Sequence, residues 1–129
     1  MESIQSNPKK ERVVILGASD KPERYSHRAL RMLLDHGHEI VLVHPRLAQI
    51  EGRDVVSDLG AVTGAVDTIT MYVGPDASSP LADKLLSLKP TRVIFNPGAE
   101  NPALRQRLME AGIRVEEACT LVLLSTGQF

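Results

Sequence analysis

Val13-Val14-Ile15-Leu16-Gly17-Ala18-Ser19-Asp20-Lys21-Pro22 joins a run of apolar residues to a glycine and then to a polar stretch. A continuous β-branched run suits a strand buried on both faces, because helices cover a central parallel strand above and below. Gly17 lets the chain turn tightly where backbone N–H groups can approach a phosphate at the start of a following helix. A nucleotide-binding α/β domain opens in this way. A dinucleotide fingerprint needs two further glycines at fixed spacing. Ser19 and Pro22 hold those positions here, so NAD is not the ligand this loop favours.

Outward from this unit, the pattern alternates between strands and helices. Tyr25, Ala29, Met32, Leu33 and His36 recur at helical spacing before Gly37, which predicts a helix over 26–36. Glu39 to Val43 reads as a strand ending at His44-Pro45-Arg46, where proline stops ladder pairing. Gly52, the short strand candidate Asp54-Val55-Val56 and the turn Ser57-Asp58-Leu59 form a compact third unit. The run from Val66 to Val73 predicts a central strand closed by Gly74-Pro75. A helix over 77–88 follows, with Leu81, Leu85 and Leu88 on its buried face. Arg92 to Phe95 is the next strand. Asn101 then caps a helix that has Pro102 at its first position and Leu104, Leu108 and Ala111 as its buried stripe. Arg114 to Glu116 is a last strand, and Cys119 to Leu124 is an apolar closing segment. Residues 1–11 are polar and aperiodic and are expected to form a tail outside a single domain over 12–129. The alternation implies parallel pairing through right-handed crossovers, hence a three-layer, doubly wound, Rossmann-like α/β sheet.

Composition narrows the partners. The 129 residues carry a net charge of −1 and no long basic run, which removes the electrostatic footprint of a nucleic-acid binder. No apolar segment approaches the roughly 20 residues that span a bilayer, and Lys9-Lys10-Glu11-Arg12 opens no signal sequence. A cytoplasmic protein without a membrane partner is expected. Cys119 is the single cysteine, so an intrachain disulfide and a multi-cysteine metal site are excluded. With no Trp, two Tyr and two Phe, stacking platforms for bases are scarce.

Ligands of doubly wound sheets sit at the carboxyl ends of the strands, beside the switch point in strand order. The segments that leave those ends are Gly17-Ala18-Ser19, His44-Pro45-Arg46, Val73-Gly74-Pro75 and Asn96-Pro97-Gly98. Together they would make a groove with backbone donors and few bulky side chains, suited to an extended, phosphate-bearing ligand. Their order along the chain also resembles a known family. Gly17-Ala18-Ser19 with Pro22 and Arg24, Gly37-His38, His44-Pro45-Arg46, Ile50-Glu51-Gly52, Tyr72-Val73-Gly74-Pro75, Phe95-Asn96-Pro97-Gly98-Ala99-Glu100 and Cys119-Thr120-Leu121-Val122 are similar to the stand-alone CoA-binding proteins. Those proteins are in turn similar to the nucleotide-binding domain of the succinyl-CoA synthetase α subunit. The likeness spans roughly residues 12–129.

The resemblance implies a Rossmann-like fold holding coenzyme A across the loop edge. It places the CoA phosphates on Ser19, Asp20, Lys21 and Pro22, and the nucleotide end on Arg46. Val73-Gly74-Pro75 would lie along the adenine or pantetheine path, and Phe95-Asn96-Pro97 along the thiol-bearing arm. The synthetase loop carries more glycines, and a lysine stands there where this chain has Arg46-Leu47. The synthetase histidine that carries a phosphoryl group belongs to a further domain, for which 129 residues are too few.

Several residues admit two readings. Ser19 can donate to a phosphate or cap the helix that follows, and Lys21, Arg24 and Arg28 can meet an anion or simply be solvated. Arg46 has the planar fork that suits phosphate. His36 and His38 are expected to end the first helix as dipole-favoured imidazolium, and His27 to make a polar contact on its first turn. His44 faces the groove without a second histidine at metal spacing. Asp67 reads as a turn or edge residue, while Asp76 and Glu100 lie on the groove edge with no proton to move. Cys119 is either a small buried hydrophobe or a thiol close to the pantetheine sulfur. Three functions remain open: a CoA or acyl-CoA binder without chemistry of its own, acting as a regulatory or carrier module; a component of an acyl-CoA transferring or ligating enzyme that needs a partner domain; and a binder of NAD or another nucleotide. A homodimer is compatible with exposed apolar helices.

Overall fold

A computed structural model describes residues 10–129. Among these residues a seven-stranded sheet has the order β3-β4-β2-β1-β5-β6-β7. The strands are β1 (Arg12–Leu16), β2 (Glu39–Val43), β3 (Gln49–Ile50), β4 (Arg53–Val56), β5 (Thr68–Met71), β6 (Arg92–Phe95) and β7 (Arg114–Glu117). The opening apolar run is the central strand, with β2 parallel on one side and β5 parallel on the other. Val13 and Ile15 enter one core layer while Val14 and Leu16 enter the other, the alternation a pleated strand imposes. The first layer is covered by α1 (Tyr25–Asp35) and α5 (Thr120–Ser125). The second is covered by α3 (Ala82–Leu88) and α4 (Pro102–Glu110). The three-layer architecture is therefore as expected. Among the described residues no helix is long and apolar enough to cross a membrane.

Four details depart from the expectation. β3 runs antiparallel to β4, so the sheet is mixed at one edge. The two-residue turn between them, Glu51-Gly52, has positive φ at both positions (51° and 76°), the geometry of a tight hairpin. The helix expected over 77–88 is broken: α2 (Pro75–Ser78) gives way to a tight turn at Ser79–Leu81, and α3 starts afterwards. Pro80 lacks the N–H that a continuous helix would use. On α1 the buried face is Ser26, His27, Ala29, Leu30 and Leu33, whereas Tyr25 and His36 are exposed. Ala111 likewise lies on the surface beyond the end of α4.

Of the expected tail, 1–9 lies outside the described residues, and Glu11 belongs to the fold. Its N–H donates to His38 Nδ1 at 3.0 Å, and its carboxylate accepts from the Thr68 hydroxyl at 2.6 Å. Arg92, almost fully buried, lies 3.4 Å from both Glu11 and Glu116. Its guanidinium also packs 4.3 Å from the centroid of the Phe129 ring. Two carboxylates, a hydroxyl and an aromatic face make that burial tolerable. His38 is not a helix-end imidazolium. It is buried, and burial pushes its ionisation below 6.5, helped by His36 and Arg92 and opposed by Glu11.

Candidate functional site

β1 lies between β2 and β5, so successive connections leave it in opposite directions and open a crevice at the carboxyl edge. A cleft of about 780 Å3 occupies that place, within the size range of small-molecule sites. Its first wall is the loop after β1. Gly17, Ala18, Ser19, Asp20, Lys21 and Arg24 all line it. Gly17 has φ of +91°, and a Cβ there would stand 2.9 Å from Val73 Cγ1 and 3.2 Å from the Tyr72 carbonyl carbon. Backbone rotation and close approach both require glycine at this point. The Gly17 and Ala18 N–H groups donate to the Val43 carbonyl at 3.1 Å, which ties the loop to β2. Ser19 Oγ accepts from the Lys21 N–H at 3.1 Å, so this hydroxyl shapes the loop and does not cap α1. Arg24 precedes the helix with extended backbone and supplies no side-chain cap. The His27 N–H already donates to the Arg24 carbonyl at 3.1 Å, which leaves the N–H groups of Tyr25 and Ser26, both lining the cleft and without a partner among the described residues, and the positive end of the helix dipole to meet an anion.

The second wall is His44, Pro45, Arg46 and Leu47. His44 Nδ1 accepts from the N–H groups of both Arg46 and Leu47 at 3.0 Å. That role assigns the ring proton to Nε2 and makes His44 a turn-former whose remaining nitrogen is a donor. The third wall consists of Tyr72 and Val73 after β5, and of Pro97, Gly98 and Ala99 after β6. Glu100 holds this last loop by accepting from the Gly98 N–H at 2.9 Å. Lys21, Arg24 and Arg46 have no ion-pair partner among the described residues, and these three cations border one cavity with Asp20 as the carboxylate on the same walls.

Other expected site residues stand elsewhere. Pro22 is exposed without lining the cleft. Gly74 and Pro75 start α2, with the Gly74 carbonyl accepting from the Ala77 and Ser78 N–H groups. Phe95 is wholly buried in the core, because β6 has covered neighbours on both sides. Asn96 is a buried staple. Its Nδ2 donates to Thr70 Oγ1 at 2.7 Å and to the Met71 carbonyl at 2.9 Å, and its Oδ1 accepts from the Thr120 N–H at 2.9 Å. Cys119 is half-buried immediately before α5 and does not line the cleft. Arg28 lies over the Tyr25 ring, and His27 is buried with Nε2 2.6 Å from Glu51. Tyr25, Ser26, Leu47 and Ala99 border the cleft without having been expected there; a sequence signal existed only for Tyr25 and Ser26, at the helix start.

Tyr72 links the cleft to this staple. Its hydroxyl is buried with no hydrogen-bond partner among the described residues. Burial pushes its ionisation up to about 12, only partly offset by the nearby hydroxyls of Thr120 and Thr70. Those hydroxyls are already 2.8 Å apart and bonded to each other. The phenol thus stays protonated throughout the physiological range.

YneT, an uncharacterized protein of Bacillus subtilis (strain 168), is 28% identical over 101 residues, covering 78% of this chain and 75% of that one. A crystal structure of an uncharacterized protein superposes with a TM-score of 0.89 at 39% identity, over 95% of this chain and 100% of the other. The fold also matches a dinucleotide-forming acetyl-coenzyme A synthetase of Ca. Korarchaeum cryptofilum, solved with phosphate and ADP. That match has a TM-score of 0.71 at 20% identity, over 84% of this chain and 25% of the synthetase chain. Residues 11–125, which hold every wall of the cleft, match the family described as CoA binding domain, and the chain belongs to that family.

Proposed function

We propose that the cleft binds coenzyme A or an acyl-CoA, with the diphosphate over the loop Gly17–Lys21 and the open start of α1. The observation that carries this reading is the convergence of Lys21, Arg24 and Arg46, without carboxylate partners among the described residues, on a cavity walled by four carboxyl-edge loops. A CoA molecule brings a diphosphate and a 3′-phosphate, and charge-assisted bonds to such groups are the strong ones. Arg46 takes a phosphate at the nucleotide end. The pantetheine arm runs along Tyr72, Val73, Pro97 and Gly98, a stretch of wall without charged side chains.

Binding without turnover fits the side chains that face this space. The one imidazole on its walls, His44, has Nδ1 already engaged by two backbone N–H groups, and the other lining side chains include no histidine, cysteine or glutamate. That arrangement supports a carrier or regulatory role, with the cytoplasm as its proposed setting. A second reading has one observation behind it: this fold corresponds to a quarter of a much longer synthetase chain. On that reading the protein acts with a separate partner that supplies the chemistry of acyl transfer.

Calorimetric titration of the reduced protein with CoA, NAD and ADP tests the reading. CoA is expected to bind selectively, and Arg46→Ala to weaken it about tenfold, the worth of one charge-assisted contact. Absent CoA binding, or equal affinity for NAD, would overturn it. Acyl-CoA turnover that emerges only on adding a synthetase partner would favour the second reading.

A further inference from the structure

The chain has two Tyr, two Phe and no Trp, and three of these four rings are engaged. Phe95 is in the core, the Tyr72 hydroxyl is buried, and Phe129 packs on Arg92 and on the His38 ring. Tyr25 is 66% exposed at the first position of α1, and it lines the cleft beside Arg24 and Ser26. Arg28 follows three residues later on the same helix face, its Cζ 5.6 Å from the Tyr25 ring centroid. A guanidinium near one face of a ring that is 66% exposed favours one orientation of it and leaves ring surface open. An exposed aromatic ring at the mouth of a cationic cleft is a ready stacking surface.

We infer that Tyr25 is the platform on which the adenine of the bound nucleotide stacks, with Arg28 as the positioning residue that holds the ring. The assignment rests on the cleft being a CoA site and adds a recognition element that neither the loop motif nor the family resemblance supplies. Adenine is the aromatic part of that ligand, and the cations beside Tyr25 suit the phosphates attached to it. Stacking also gives the cleft a preference for the intact nucleotide over the phosphopantetheine portion alone. Tyr25 is exposed and makes no core contact, so its substitution leaves folding intact.

The test compares wild type, Tyr25→Ala and Tyr25→Phe by calorimetry with CoA, adenosine 3′,5′-bisphosphate and 4′-phosphopantetheine. Tyr25→Ala is expected to weaken the two adenine-bearing ligands about tenfold, with phosphopantetheine unchanged and Tyr25→Phe restoring affinity. Bound etheno-CoA, whose fluorescent base is quenched on stacking, is expected to be dim on wild type and Tyr25→Phe and bright on Tyr25→Ala. Equal emission from all three, or an equal loss for phosphopantetheine, overturns the platform while leaving the cleft a CoA site. A wild-type protein that binds none of the CoA-type ligands overturns both readings together.

Discussion

At Gly17 a single missing Cβ serves both the loop and the wall opposite. Its φ is +91°, and the position a methyl group would take lies 2.9 Å from Val73 Cγ1 and 3.2 Å from Tyr72 backbone atoms. Gly17→Ala adds left-handed strain of about 1–2 kcal/mol and an overpacking cost of about 1–3 kcal/mol. Urea unfolding should therefore show a loss of about 2–5 kcal/mol. A variant as stable as wild type would mean that the loop is free to shift, against the two N–H bonds that hold it to Val43. The importance of Gly17 was legible because glycine after a buried strand is a local pattern. Asn96 was not legible in the same way. Beside Pro97 and Gly98 it reads as a turn residue facing the ligand, whereas its three partners come from Thr70, Met71 and Thr120. No local signal announces that these distant residues meet.

Elements defined by short-range chemistry were read well, and α4 is the clearest instance. Asn101 Oδ1 accepts from the Leu104 N–H at 3.2 Å, as an N-cap should, with Pro102 directly after it. The structure adds a second duty, since Asn101 Nδ2 donates to the hydroxyls of Ser78 and Ser79 at 2.9 Å and so docks α4 on α2 and the turn behind it. Asn101→Ala should destabilise by about 2–3 kcal/mol, the cap plus the buried donors' lost bonds. Asn101→Asp keeps the cap and loses the donors, so its unfolding midpoint is expected between wild type and Ala. Equal midpoints for the two variants would refute the double role. The misread elements share a different cause. The α1 stripe was phased on Tyr25 and His36 because apolar periodicity cannot see that His27 is buried through Glu51, a residue of the β3–β4 turn. The hairpin itself was missed because a two-residue strand has no period to detect.

For the molecule as a whole, the carboxyl edge of the sheet holds the cleft while the amino edge is a closed polar network. His38 is central to that network, accepting from the Glu11 N–H and leaning on Phe129. Burial lowers its ionisation below 6.5 in the folded state, so the unfolded chain binds a proton at higher pH than the native one. Stability is then fully present above the unfolded value and declines as pH falls below it, levelling off beneath the lowered folded value. Urea unfolding at about pH 7.5 and about pH 5 should show this decline, and His38→Asn, which keeps an acceptor for Glu11 and removes the titration, should flatten it. An identical slope in the variant would place the pH dependence elsewhere. The strand order has a further effect during synthesis. Among the described strands β1 is made first, and it is the middle of the seven-stranded sheet. As the amino end emerges first, β2 can cover one side of it, but the other side waits for β5, and the last cleft wall waits for β6. The nascent chain therefore presents a bare strand edge, apolar from Val13 to Leu16, for part of its translation. No ligand can shield it in that interval, because the far half of the binding site has not yet been made.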